Sequence, residues 1–146
     1  MTSETIRHLD KVEGVMRQAK LILARHSYSD DLRTVIVMGT ITQIIEHHEA
    51  ILLLVRSNKI GSSFALIRSV VEGVYRGMWI NFCATDTEMQ EFEREDRLPV
   101  NMTQMAQAID EKYQAQGFFE DLRAKSWAAL CSYTHTGMLQ LVACNG

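Results

Sequence analysis

Three charged side chains recur at four-residue steps inside an otherwise apolar stretch, ALIRSVVEGVYRGMWI at residues 65–80. On a helix, Arg68, Glu72 and Arg76 can pair along one side, because residues four apart are neighbours there. Arginine beside aromatic rings also suits a phosphate group or a nucleobase. Three interpretations of this Arg-Glu-Arg ladder stay open: a closed internal clamp, the lining of a ligand pocket, or a solvated surface.

The aromatic residues of the same stretch fall on the charged side of the helix. At 100° per residue, four of them lie within about 40° of Arg68: Phe64, Tyr75, Trp79 and Phe82. Apolar residues occupy the opposite side, so we expect this helix to contact protein on both sides and to be the central one. Gly73 and Gly77 would let a neighbouring backbone approach closely.

A second cluster, EHHE at residues 46–49, lies in the middle of another apolar segment. His48 shares the apolar stripe of its helix, and His48 and Glu49 are predicted to face the same interior as the ladder. A single histidine on an apolar stripe is more often a hydrogen-bonded core residue or a pH-sensitive partner of a carboxylate. A bundle metal site needs a second Glu-x-x-His, but Glu72 is followed by Tyr75 at that position. We therefore predict no metal site and no cofactor.

A third cluster, SYTHTG at residues 132–137, places His135 at or beyond a helix end. A histidine there can act as a general acid or base, because its pKa needs little tuning; a capping or loop role is the alternative. The sequence has no glycine-rich phosphate loop, no nucleophile elbow and no local Cys–His signature. These absences disfavour the corresponding reaction classes.

Hydrophobic periodicity predicts the elements that position these clusters. Helices are expected over about 3–26, 30–57, 63–83, 101–117 and from 118 to about 133, with a short helix or turn at 87–96. Gly61, in NKIGSS, is expected to take the left-handed conformation between the second and third helices. The fold class is all-α: one domain over residues 1–146, with four or five helices and a long antiparallel helical hairpin at its centre.

Composition limits the partners. The net charge of −3 and pI near 5.9 offer no general attraction for DNA or anionic lipid, so any phosphate contact must be local.

No apolar run is long enough for a membrane span, and Cys83, Cys131 and Cys144 lack disulfide or zinc spacing. We predict a cytoplasmic protein with reduced cysteines. The apolar end at 138–146 suggests a chain that continues or a surface that packs against a partner.

The segments SSFALIRSVVEGVYRGMWI, EHHEAILLLVRSNKIG and SYTHTG resemble a group of bacterial all-helical proteins related to the HEPN superfamily. The resemblance implies a helical bundle that often dimerises, and it includes RNA-cleaving toxins and defence effectors. In those nucleases an arginine and a histidine act from one late helix. This sequence has His135 but Ala129, Leu130 and Cys131 where that arginine would be. Arg68 or Arg76 would have to supply the cation from another helix.

Residues and resemblance together predict a HEPN-like domain that binds or cleaves RNA or a nucleotide and forms a homodimer. The predicted catalytic residues are His135, Arg68 and Glu72, and the predicted ligand contacts are Arg76, His48, Glu49 and Tyr75. Here the arginines hold phosphate, Glu72 orients an arginine and His135 moves the proton. The alternative is a non-enzymatic dimerisation or adaptor domain in which the ladder is structural.

Overall fold

The computed structural model describes residues 2–135 and 138, and this part of the chain contains six helices and no strand. They are α1 (Ser3–Ala24), α2 (Leu32–Arg56), α3 (Ile60–Phe82), α4 (Asp86–Glu95), α5 (Met102–Tyr113) and α6 (Phe118–Thr134). The predicted all-α class is confirmed. The helix count exceeds the prediction because 86–95 is a full helix, which begins with a capping box between Thr85 and Glu88. None of the described helices is long and apolar enough to cross a membrane.

Helices α2 and α3 form the predicted hairpin through a connection at residues 57–59. Asn58 takes the left-handed conformation with φ of 55°, and the Lys59 N–H donates to the carbonyl of Leu54 at 2.8 Å. Asparagine adopts this conformation more readily than most residues. The predicted turn role of Gly61 is wrong, because α3 has already begun at Ile60 and Gly61 is buried in its first turn.

The contact between α2 and α3 is close at two glycines of α3. A Cβ atom on Gly73 would lie 2.9 Å from Cγ1 of Ile44, and one on Gly77 would lie 3.3 Å from Cγ2 of Thr40. Both distances are shorter than ordinary carbon–carbon contact, so the two helices pack where α3 has no side chain. The predicted close approach at Gly73 and Gly77 is confirmed.

The hydrophobic core lies on the other side of α3. It is built from α3, α4 and α5, with Phe119 of α6 packed against it, and its buried members are Tyr75, Trp79, Ile80, Ala84, Met89, Met105, Ala106 and Ile109. Helix α3 packs against α2, α5 and α6. It is therefore the central helix, as predicted.

Helix α6 is capped by a side chain from the preceding helix. Gly117 precedes α6 with φ of 79° and offers no side-chain cap. The buried carboxylate of Asp110 instead accepts the N–H groups of Phe119 at 3.0 Å and Glu120 at 2.9 Å. Gly117 was predicted to end the fifth helix; that helix ends at Tyr113, and the left-handed Gln114 follows it. Asp110 thus joins the end of α5 to the start of α6 and fixes where α6 begins.

Helix α1 packs against α2 and contributes no buried residue. Ion pairs join the two helices: Lys20 lies 2.6 Å from Glu49, and Arg56 lies 2.7 Å from Asp10 and 2.9 Å from Glu13. These side chains are 34 to 60% exposed. Exposed ion pairs contribute little free energy each, so α1 is the least firmly held helix of the described fold.

Candidate functional site

Arg68 and His135 meet although they are 67 positions apart in the chain. Nη1 of Arg68 lies 2.6 Å from Nε2 of His135, which follows the last residue of α6. Since the guanidinium can only donate, this hydrogen bond requires Nε2 without a proton, and the neutral ring then carries its proton on Nδ1. An unprotonated imidazole nitrogen therefore lies directly beside a permanent positive charge.

Aromatic rings from α3 and α6 hold the Arg68–His135 pair. The guanidinium carbon of Arg68 lies 5.1 Å from the ring centroid of Trp127, a favourable cation–π position. One turn earlier on α3, Phe64 stacks on Tyr133 with ring centroids 4.5 Å apart. These contacts explain the shared aromatic and charged face of α3: that face packs against α6.

The Arg-Glu-Arg ladder extends from this pair toward solvent. Glu72 lies 3.8 Å from Nε of Arg68 and 2.5 Å from Nη2 of Arg76. The side chains are 20%, 25% and 48% exposed from Arg68 to Arg76. The ladder is thus neither a sealed clamp nor a fully solvated row, and its exposed end keeps a cation available.

The exposed end of the ladder lines a cleft of about 290 Å³ between α2 and α3, which we call the polar cleft. Its lining combines polar side chains of α2 and α3 with Phe92 of α4 and with Leu98. The lining residues are Ile36, Thr40, Gln43, His47, Ser69, Glu72, Gly73, Arg76, Ile80, Phe92 and Leu98. Glu72 therefore connects the polar cleft to the Arg68–His135 pair.

Sequence reasoning missed the polar residues that α2 contributes to the cleft. Gln43 and His47 lie on the cleft together with Thr40. Their spacing of three and then four residues is the signal that would have found them, since such residues share one face of a helix. This polar stripe lies on a different face of α2 from the apolar stripe that was used to predict the buried face.

The structure places three predicted ligand contacts elsewhere. His48 is half-buried, and its neighbour His47 reaches the polar cleft instead, because consecutive helical residues point about 100° apart. Glu49 pairs with Lys20 at the contact with α1. Tyr75 is 2% exposed, and its hydroxyl donates to the carbonyl of Phe119 at 2.8 Å. The polar groups of Glu49 and Tyr75 are thus engaged outside the cleft.

The described residues contain no group of three or more histidine, cysteine, aspartate or glutamate side chains placed to hold a metal ion. One earlier prediction falls largely beyond the described residues. It is the partner contact at 138–146, where only Met138 is described, and Met138 is exposed.

A family comparison covers most residues of this site. A model for a family of unknown function, DUF6988, matches residues 41–145. The chain belongs to the DUF6988 family. The matched region includes the polar cleft residues Gln43 and His47, the ladder and His135, whereas α1 lies outside it. No curated protein and no solved structure matches the chain.

Proposed function

We propose that this DUF6988 protein is a HEPN-like helical domain that cleaves RNA, with Arg68 and His135 acting on the phosphodiester group. The observation that carries the proposal is the 2.6 Å contact between the guanidinium of Arg68 and Nε2 of His135. It supports the requirement drawn from the sequence that a cation from another helix accompany His135. The toxin or defence context suggested by the resemblance belongs to the same proposal.

The roles follow from the chemistry of the two groups. A phosphate oxygen is a stronger acceptor for arginine than a neutral imidazole, because both partners are then charged. RNA would therefore draw the guanidinium of Arg68 onto its phosphate and free Nε2 of His135. This nitrogen takes the proton of the ribose 2′-hydroxyl, and O2′ attacks phosphorus as the bond to O5′ breaks. Solvent water protonates the departing O5′, and His135 later returns its proton to solvent, leaving a 2′,3′-cyclic phosphate and a 5′-hydroxyl.

Arg76 and Glu72 assist without contacting the reacting atoms. Glu72 accepts from Arg76 and lies beside Arg68, so it limits the directions in which both guanidinium groups can point. Arg76, at the exposed end, offers a second positive charge to the RNA backbone. Glu72 is therefore a positioning residue in this mechanism.

His135→Ala and Arg68→Ala are expected to lower the rate of RNA cleavage by about 100-fold or more, the usual contribution of a general base or a phosphate-binding cation. The measurement is turnover of end-labelled RNA, with the product ends identified. His26→Ala is the matched control for His135, because His26 is also an exposed histidine just after a helix. Arg94→Ala is the control for Arg68, because Arg94 is exposed and pairs with its neighbour Glu95 on the surface.

Circular dichroism spectra and melting curves establish that each variant is folded. The proposal is wrong if the wild-type protein cleaves no RNA, or if folded His135→Ala and Arg68→Ala variants keep the wild-type rate. Products that end in a 3′-hydroxyl would exclude attack by the 2′-hydroxyl.

A second candidate function is dimerisation, favoured by an apolar groove on the outer face of the α2–α3 hairpin. The groove has a volume of about 310 Å³ and contains Val74 and Phe82, whose surfaces are 38% and 44% exposed. Its lining is Val37, Thr40, Ile41, Ile44, Gly73, Val74, Gly77, Met78, Asn81 and Phe82. A second copy of the chain would cover the same face on both partners. Val74→Glu should then lower the mass measured by light scattering from dimer to monomer.

The adaptor alternative also requires a structural ladder, and Glu72→Ala tests that requirement. A sealed ladder would lose about 3–5 kcal/mol, because an arginine would stay buried without a partner. We expect a loss of about 1 kcal/mol, since all three side chains reach solvent and Arg68 keeps His135 and Trp127 as contacts. Urea unfolding measures the difference, with the exposed Glu91→Ala as control. A loss of 3 kcal/mol or more would favour the structural clamp.

A further inference from the structure

The polar cleft has a chemistry that the proposed cleavage step leaves unexplained. Gln43, His47 and Ser69 bring further hydrogen-bonding groups to it from α2 and α3, and neither Arg68 nor His135 belongs to its lining. Gln43 and Arg76 are exposed, so the cleft can be entered from solvent. A volume of about 290 Å³ is at the small end for ligand pockets and suits a single ring system better than a large ligand.

The walls of the polar cleft match the two surfaces of a nucleobase. Phe92 offers an aromatic ring on which a base can stack. The polar side chains of the lining, Gln43, His47 and Ser69, can form hydrogen bonds with the edge of the base. The carboxamide of Gln43 carries both a donor and an acceptor, the pattern that pairs with the N6 and N7 positions of adenine. A purine presents two fused rings to Phe92 where a pyrimidine presents one, so stacking favours a purine in the cleft.

A second cavity continues from the polar cleft and is lined by two arginines and one carboxylate, that of Asp96. It has a volume of about 390 Å³, shares Arg76, Phe92 and Leu98 with the cleft, and adds Arg97 and Asn101. Arg97 is exposed, and it forms no ion pair and no hydrogen bond with another described residue. A nucleotide whose base lies in the cleft would have space for its sugar and phosphate beside Arg76 and Arg97.

We infer that the polar cleft binds an adenine nucleotide unit of the RNA, with its base at Gln43 and Phe92 and its phosphate at Arg76 and Arg97. This inference rests on the proposed function, because the ladder leads from the cleft to the Arg68–His135 pair. Arg68 and Arg76 are eight residues apart, so the ladder spans about 12 Å along the axis of α3. The cleft therefore selects a base near the cleaved bond, rather than binding the cleaved phosphate itself.

The first test is a titration of the full chain with adenosine monophosphate, using uridine monophosphate for comparison. Adenosine monophosphate is expected to bind saturably and more tightly than uridine monophosphate. Gln43→Ala and Arg97→Ala should each weaken its binding by about tenfold, the value of one well-made hydrogen bond or ion contact. Gln18→Ala on α1 and Arg94→Ala on α4 are matched exposed controls and should bind as the wild type does.

The outcomes separate this inference from the proposed function. If adenosine monophosphate does not bind saturably, binds no better than uridine monophosphate, or binds Gln43→Ala as tightly as the wild type, the inference is wrong even when RNA is cleaved. If it binds as expected and His135→Ala binds it equally well, the inference holds even when no RNA is cleaved. With cleavage present, Gln43→Ala should raise KM for adenine-rich RNA and leave kcat near the wild-type value.

Discussion

Replacing Asp110 with alanine is expected to lower the free energy of unfolding by about 3 kcal/mol. The buried carboxylate accepts two N–H groups at the start of α6, those of Phe119 and Glu120. Gly117 at the N-cap has no side chain, and no other described side chain caps this end. Alanine would leave both donors without partners in a largely buried place and would remove a negative charge from the positive end of the helix dipole.

Asp121→Ala is the matched control for this prediction. Asp121 is also in the first turn of α6, but it is exposed and pairs with Lys125 on the surface, so we expect less than about 0.5 kcal/mol. Asp110→Asn should fall between the two, because an amide keeps one oxygen acceptor. Urea unfolding followed by circular dichroism measures all three. A loss below about 1 kcal/mol for Asp110→Ala would mean that the carboxylate is not the important cap.

Replacing Tyr75 with alanine is expected to lower the free energy of unfolding by about 4 kcal/mol. The ring of Tyr75 lies in the core with its centroid 5.9 Å from that of Phe119 in an edge-to-face arrangement. Alanine would leave a cavity that the surrounding helices cannot fully close. Tyr75→Phe keeps the ring and loses only the hydrogen bond to the carbonyl of Phe119, so we expect about 1 kcal/mol for this change.

The measurement is again unfolding by urea, with the exposed Tyr28→Ala as control. If a folded Tyr75→Phe variant lost RNA binding, the hydroxyl of Tyr75 would contact the ligand, as the sequence predicted.

The pH dependence of stability is a second test of the burial of Tyr75, because burial raises the pKa of Tyr75 and the negative charge of Asp110 raises it further. The folded protein favours the neutral phenol. Stability should therefore fall as pH rises above about 10, where the unfolded tyrosine ionises, and Tyr75→Phe should lack this contribution.

Local sequence signals were sufficient for the three long helices and for the central position of α3, but they did not distinguish a short helix from a turn at 87–96 and ended the fifth helix too late. Periodicity gave the three long helices to within a few residues, and the glycine pair of α3 correctly indicated a close approach to α2. Phe64, Arg68 and Tyr75 all contact α6, as the predicted shared face requires. Phe82 does not, because it packs against Tyr113 of α5 and lines the apolar groove. The features that were predicted correctly depend on residues close together in the chain.

Features that depend on the relative placement of helices could not be predicted in the same way. The choice between His47 and His48 depends on how α2 is rotated against α3, and an apolar stripe defines that rotation too loosely. The burial of Tyr75 depends on where α6 crosses α3, since its partner Phe119 is 44 positions away. The sequence likewise placed the helix stop at Gly117, because nothing local indicates that Asp110 caps the next helix.

Helix α6 can be described as a lever: its pivot is the start of the helix, which Asp110 caps, and its tip is the end that carries His135. The helix has 17 residues, so His135 lies about 25 Å from the capped end. A change of about 5° in the direction of α6 at its pivot would move the tip by roughly 2 Å. Such a displacement exceeds the tolerance of a contact as short as that between Arg68 and His135. A substitution at the pivot that leaves the protein folded would therefore still change the alignment of the two groups, far from the altered residue.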